Sequence, residues 1–244
     1  MHSFLLIGQS NMAGRGFFNE AHDIDTSHIY ILRNGRWQTM FRPINCDRSF
    51  SGVSLAESFA EAYAKKYNVD VGLICCADGG TALSQWKKGE LLFDNAVNNA
   101  KLAKRTSKIV GVLWHQGEAD CTDELYPTYQ ARFEPMMQAF RDELDLHDVP
   151  FLLGGLGDFL KFYPIKNYTH INAALKKISQ DNELTGFVSA EGLTSNPDNL
   201  HFNASSLYEF GLRYFKEFEK FSKQFKITDE EVTSDIKRSE MELL

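Results

Sequence analysis

His2-Ser3-Phe4-Leu5-Leu6-Ile7-Gly8-Gln9-Ser10-Asn11-Met12-Ala13-Gly14-Arg15-Gly16 decides how the rest of the chain is read. The apolar run Phe4 to Ile7 reads as a strand, over His2 to Gly8, that leads straight into a serine flanked by turn-forming and amide residues. Gly8 closes the run and Ser10 follows at the strand-to-loop junction. Far downstream stands Asp198-Asn199-Leu200-His201. A serine at a strand end, with an Asp and a His three residues apart, supplies the groups of a hydrolytic triad in the order Ser, Asp, His.

Outward from the first strand, apolar runs alternate with helical periodicity. Residues 29–40 carry Asn34-Gly35 between apolar runs, the signal of a tight hairpin. Leu55, Phe59, Tyr63 and Tyr67 recur at i, i+4 and predict a helix over 51–67 with one apolar face. Further strands are predicted at 69–76, 108–114, 150–156 and 186–190, and further helices at 92–105, 124–146, 163–180 and 203–221. Repeated β-α units of this length predict an α/β fold, a central parallel sheet with helices on both faces. In open sheets of this kind ligands bind outside the carboxyl ends of the strands. Ser10, Gly79 and Gln116 each follow a predicted strand, so three distant segments are expected along one edge.

Gly8-Gln9-Ser10-Asn11-Met12, Gly79-Gly80-Thr81 with Trp86 behind it, Trp114-His115-Gln116-Gly117-Glu118-Ala119-Asp120, and Asp198-x-x-His201 stand in that order. Together they resemble the four motif blocks of the SGNH/GDSL hydrolase superfamily, and most nearly its branch of sialate O-acetylesterases and acetylxylan esterases of carbohydrate esterase family six. The resemblance spans about residues 4 to 215. It implies a three-layer, flavodoxin-like fold and a serine carbohydrate O-acetylesterase acting on O-acetylated carbohydrate through an acyl-enzyme, with no cofactor. A lipase or thioesterase is the alternative within the enzyme class, and a noncatalytic carbohydrate-binding protein on the same scaffold is the alternative outside it.

The chemistry assigns roles. A serine hydroxyl needs an adjacent base before it can attack an ester, so Ser10 is the expected nucleophile, His201 its base, and Asp198 the group that fixes the histidine tautomer. The oxyanion formed by attack needs preorganised donors. The backbone amides of Ser10 and Gly79 and the side-chain amide of Gln116 are the candidates, with Gly80 a rival to Gly79. Gln9, Asn11, Arg15 and Glu118 are expected to support the site or touch substrate. Glu118 and Asp120 are expected to accept hydrogen bonds from Asn11 or Arg15 and so tie the third block to the first. His115, Glu118 and Asp120 are metal-ligand types, but their spacing is not that of the helical His-Glu-x-x-His motif, and no metal is expected. Trp114 reads as a core residue, and Trp86 as either core or sugar platform. His22, His28, His147 and His170 have no chemical constellation around them.

Composition limits the remaining choices. At 244 residues, with 43% hydrophobic and 24% charged residues, the chain is long enough and ordinary enough for one soluble enzyme domain, expected over 1–222. The charged stretch 223–244 is expected as a tail or peripheral helix without chemistry. The net charge of −7, with no basic stripe, argues against nucleic acid as a partner. Phe4 to Ile7 is too short for the apolar core of a signal peptide, and no stretch is long enough to span a bilayer, so a cytoplasmic location without membrane contact is expected, a removed leader aside. Oligomeric state is not legible. Cys46, Cys75, Cys76 and Cys121 have no zinc-type spacing and are expected as free thiols.

Overall fold

The computed structural model describes residues 1–221, so the predicted tail over 223–244 lies outside the described residues. In chain order the elements are β1 (His2–Gly8), α1 (Ser10–Ala13), β2 (Ile29–Arg33), β3 (Arg36–Thr39), α2 (Leu55–Tyr67), β4 (Val71–Cys75), α3 (Leu91–Ala103), β5 (Lys108–His115), α4 (Tyr129–Leu144), β6 (Phe151–Gly154), α5 (Tyr168–Asp181), β7 (Thr185–Val188) and α6 (Ala204–Glu219). The strands form one sheet in the order β3-β2-β4-β1-β5-β6-β7, parallel throughout except for the antiparallel β2–β3 hairpin at one edge. Setting that hairpin aside, the order β4-β1-β5-β6-β7 is that of a flavodoxin-like sheet. The hairpin turns on Asn34 and Gly35 at φ 53° and 77°, the left-handed pair that matches the twist of the flanking strands.

Strand β1 is buried along its whole length, as its apolar run requires. Its Phe4 ring meets Phe59 and Tyr63 of α2 and Phe218 of α6 at centroid distances of 4.7, 4.8 and 5.6 Å, so α2 and α6 cover one face. On β5, Trp114 packs edge-on against Phe133 of α4 while its neighbour His115 meets Phe210 of α6, which places α4 across the sheet from α6. Helix α2 is closed at its start by Ser54, whose hydroxyl accepts from the Ala56 amide while the Glu57 carboxylate accepts from the Ser54 amide. Asn203 caps α6 by accepting from the Ser206 amide.

Three helices begin several residues later than predicted. Helix α2 starts at Leu55, not Ser51, where Ser54 caps it. Helix α4 starts at Tyr129, not Glu124, because a 3-10 turn carrying Pro127 precedes it. Helix α5 starts at Tyr168, not Tyr163, since Pro164 disfavours the helical region for the residue before it. The four cysteines are unpaired. No helix among the described residues is long and apolar enough to cross a membrane.

Candidate active site

Ser10 stands one residue beyond β1 and opens the single turn α1. Gly8 makes that junction possible: at φ 126° a side chain there would be strained, and a Cβ would strike the carbonyl of His115 on the adjacent β5. The Gln9 amide then donates to that same carbonyl at 2.8 Å, which pins the loop to the strand beside it. Because β1 and β5 neighbour each other where the chain reverses its direction across the sheet, Ser10 lies at the topological switch point.

The turn 194–203 brings the histidine to it. The Asn196 amide donates to the His201 carbonyl at 2.7 Å, and Ser195 bridges to Phe202, so the segment folds back on itself just before α6. His201 Nε2 lies 3.0 Å from Ser10 Oγ, and His201 Nδ1 lies 2.7 Å from Asp198 Oδ2. The other carboxylate oxygen of Asp198 accepts from the amides of Leu200 and His201 at 2.9 and 3.0 Å. Burial raises the Asp198 carboxyl, but those amides and the His201 ring outweigh it and hold it below the usual carboxylate range. The arrangement is an acceptor, an oriented imidazole and a hydroxyl in line.

Asn11 binds the three segments together. Its Nδ2 donates to Glu118 Oε1 at 2.6 Å and to the Leu200 carbonyl at 3.3 Å, and its Oδ1 accepts from the Phe202 amide at 3.1 Å. The chain is therefore held on either side of His201. Gln9 Oε1 accepts long bonds from the amides of Gly117 and Ala119, at 3.4 and 3.5 Å.

The expected oxyanion donors meet different fates. The Gly79 amide donates to Asp47 Oδ2 at 2.8 Å, although Gly79 lies beside the nucleophile, where a Cβ would come within 3.4 Å of Ser10 Cβ. Gln116 is fully buried and spends its side-chain amide on the Thr81 carbonyl at 3.1 Å and Asp120 Oδ2 at 2.7 Å, while its Oε1 lies 3.0 Å from the Tyr129 hydroxyl. With both N–H groups facing acceptors in the resting site, Gln116 braces the third block against the Thr81 loop. Gly80 takes φ 78° at the exposed side of that loop.

Asp47 is a site residue that sequence reasoning missed. Arg15 grips it with two nitrogens, at 3.1 and 2.6 Å, and Ser51 Oγ donates at 2.7 Å. Burial raises the Asp47 carboxyl, and these donors more than offset it, leaving it below its ordinary range. Asn45-Cys46-Asp47 lies in a loop without periodicity, so only its acidic type was visible.

The remaining candidates sort plainly. Trp86 and Trp114 are both fully buried, packed edge to face at 5.6 Å, so neither paves a sugar site. His115 is fully buried, bonds the Gly155 carbonyl through Nε2 at 3.1 Å, and is pushed toward the neutral form by desolvation. Glu118 Oε1 lies 3.9 Å from His115 Nδ1, and Asp120 faces Arg132 at 2.8 Å. Among the described residues no group of three or more His, Cys, Asp or Glu side chains is placed to hold a metal ion.

A cleft of about 630 Å³ opens beside His201 and Asp198, walled by Arg15, Asn196, Phe17, Phe18 and Phe50 among others. The three phenylalanines are 46%, 50% and 68% exposed, which makes them the aromatic surface of the cleft. Sequence patterning gave no hint of them, because they lie in loops.

A family model for carbohydrate esterases described as sialic acid-specific acetylesterase matches residues 1–220. The chain belongs to that family. A probable carbohydrate esterase of Arabidopsis thaliana is 26% identical over 232 residues, 86% of each chain. The crystal structure of that Arabidopsis protein superimposes with a TM-score of 0.82 at 25% identity, covering 90% of this chain and 98% of that one. The structure of NanS follows at 0.73 and 18% identity, over 92% and 98% of the two chains, and shares the fold. A carbohydrate acetylesterase of Xanthomonas citri matches at 0.69 and 17% identity, over 92% of this chain and 57% of its own.

Proposed function

We propose that this carbohydrate esterase is a serine O-acetylesterase that removes acetyl groups from sugars. The observation that carries the reading is the unbroken line Ser10 Oγ, His201, Asp198, with contacts of 3.0 and 2.7 Å beside an open cleft. His201 Nε2 takes the Ser10 proton as Oγ attacks the acetyl carbonyl. The resulting imidazolium is stabilised by Asp198 and returns the proton to the departing sugar oxygen. The acetyl group stays on Ser10 until a water, deprotonated by the same His201, attacks the acyl carbon and releases acetate.

The amide of Ser10 is the proposed first donor to the oxyanion. The Gly79 amide is the proposed second, released from Asp47 as substrate enters. Gln116 supports this loop through Thr81 without touching the oxyanion.

The test is a turnover series on an aryl acetate and an acetylated sugar. Ser10→Ala and His201→Ala should each lower kcat by on the order of 10⁴–10⁶, and the double variant should be little worse, since triad members act as a unit. Labelling of the wild type by a fluorophosphonate should map to Ser10. Near-normal turnover in either single variant removes the assignment.

A further inference from the structure

We propose that this esterase chooses its substrate on the alcohol half of the ester, with Phe50, flanked by Phe17 and Phe18, as the specificity-determining residue that takes the apolar face of a ring. The proposal rests on the serine esterase reading and adds to it which half of the ester the site reads, and with which side chain.

The position of the cleft decides which half enters it. His201 Nε2, 3.0 Å from Ser10 Oγ, returns its proton to the departing oxygen, so the alcohol leaves on the histidine side of the nucleophile. The cleft of about 630 Å³ lies on that side, lined by His201 and Asp198. Among its described lining residues none comes from the loops of Gly79 and Gln116. An acetyl group needs only the space beside Ser10, whereas a cleft of this size holds a ring and its substituents.

The aromatic wall is concentrated and fixed. Six large apolar side chains are well exposed among the described residues, and three of them, Phe17, Phe18 and Phe50, line this one cleft. Apolar surface gathered at a concave site marks a place that a ligand covers. The loops that carry the rings are tied down, so the rings cannot fold inward and bury themselves. The Gly52 amide donates to the Gly14 carbonyl at 3.0 Å, and Gly16 and Val53 exchange backbone bonds of 3.2 and 2.9 Å. These contacts fasten the segments of Phe50 and Phe17 to the turn that bears Ser10. Beyond Phe18, the Arg42 guanidinium donates to the His22 carbonyl at 2.6 Å, and the His22 ring stacks on Tyr208 with centroids 4.3 Å apart.

Phe50 is the best placed of the three. The Arg15 guanidinium lies over its ring, 5.3 Å from the centroid, and Asp47 holds that guanidinium through contacts of 3.1 and 2.6 Å. The ring is thus backed by a fixed cation and is still 68% exposed. An open π face attracts weakly positive C–H groups, which a pyranose presents on its apolar face and an aromatic alcohol at its ring edge.

The experiment uses the fact that every acetate ester leaves the same acetyl group on Ser10. Acylation, read as kcat/KM, senses the alcohol. Deacylation, read as decay of the acetyl group on Ser10 by mass spectrometry after rapid quenching, follows the alcohol's departure. Phe50→Ala should lower kcat/KM roughly tenfold for an acetylated methyl glucoside and for benzyl acetate relative to ethyl acetate, and deacylation should not slow with it. Phe50→Trp should restore the ratio, and Phe50→Leu, which keeps apolar bulk without a π face, should not. Equal losses on ring and ringless esters, deacylation slowed in step, or full rescue by leucine would each overturn the proposal. A ring effect on benzyl acetate with no turnover of the glucoside supports the platform and removes the carbohydrate reading. No turnover of any ester removes the esterase reading and this proposal with it.

Discussion

Asn11→Ala tests whether the three sequence blocks are coupled through one side chain. Asn11 is 1% exposed and makes bonds of 2.6, 3.1 and 3.3 Å to Glu118, Phe202 and Leu200. Alanine removes all three bonds and leaves their partners unpaired. The Glu118 bond contributes about 1.5–3 kcal/mol and the Phe202 bond about 0.5–1.5 kcal/mol, while the long Leu200 contact adds little. A total of roughly 3–5 kcal/mol follows from adding the penalty of the stranded carboxyl and amide. At about 2–4 °C per kcal/mol for a domain of this size, Tm should fall by roughly 6–20 °C. His201 lies between the two residues that Asn11 holds, so its Nε2 loses registration with Ser10, and a displacement of about 1 Å can cost on the order of 10² in kcat. Calorimetry and aryl acetate kinetics below the melting range read the two effects separately. A Tm within about 2 °C of wild type refutes the coupling, because that change is less than the Glu118 bond alone should contribute.

Gln116→Ala separates a brace from an oxyanion donor: loss of its bonds to Thr81, Asp120 and Tyr129 should lower Tm by roughly 5–15 °C. A variant with unchanged Tm and a kcat loss of about 10²–10³ would restore the donor role. The Asp47 carboxyl is held below its ordinary value of 3.8 by Arg15, Ser51 and Gly79 against the opposing effect of burial. Since the folded value is the depressed one, this group's stabilisation is fully present above about pH 4 and is lost as pH falls through the folded value. Chemical denaturation from pH 6 down to pH 2.5 should therefore show a steeper loss for wild type than for Asp47→Asn, and parallel curves would dismiss the effect.

The parts of this molecule that sequence made legible are those set by local periodicity and by residue type at strand ends. A short apolar run with no polar interruption fits a strand buried on both faces, which is how the 69–76 run, β4 in the structure, was legible before any contact was known. The parallel sheet then puts the ends of β1, β4 and β5 along one edge, which is why Ser10 and the loops of Gly79 and Gln116 could be gathered from three separate stretches. Helix starts were less legible where a proline intervened, at Pro127 and Pro164, because the helical pattern of apolar residues runs on through a segment that the backbone cannot continue.

What stayed hidden was which acceptor each donor would meet. Gln116 has the chemistry of an oxyanion donor, but an amide so deeply buried must satisfy both N–H groups, and Asp120 and Thr81 reach them first. Asp47 and Asn196 lie in aperiodic loops far apart in the chain, and each bonds Arg15, one through its guanidinium and the other through its carbonyl. Arg15 therefore joins the Gly79 loop to the turn that bears His201. The two idle atoms beside it, Arg15 Nε and Asn196 Oδ1, exist because the ion pair with Asp47 consumes the terminal nitrogens and the Arg15 carbonyl consumes the asparagine N–H. A buried polar atom left without a partner is costly in a resting protein.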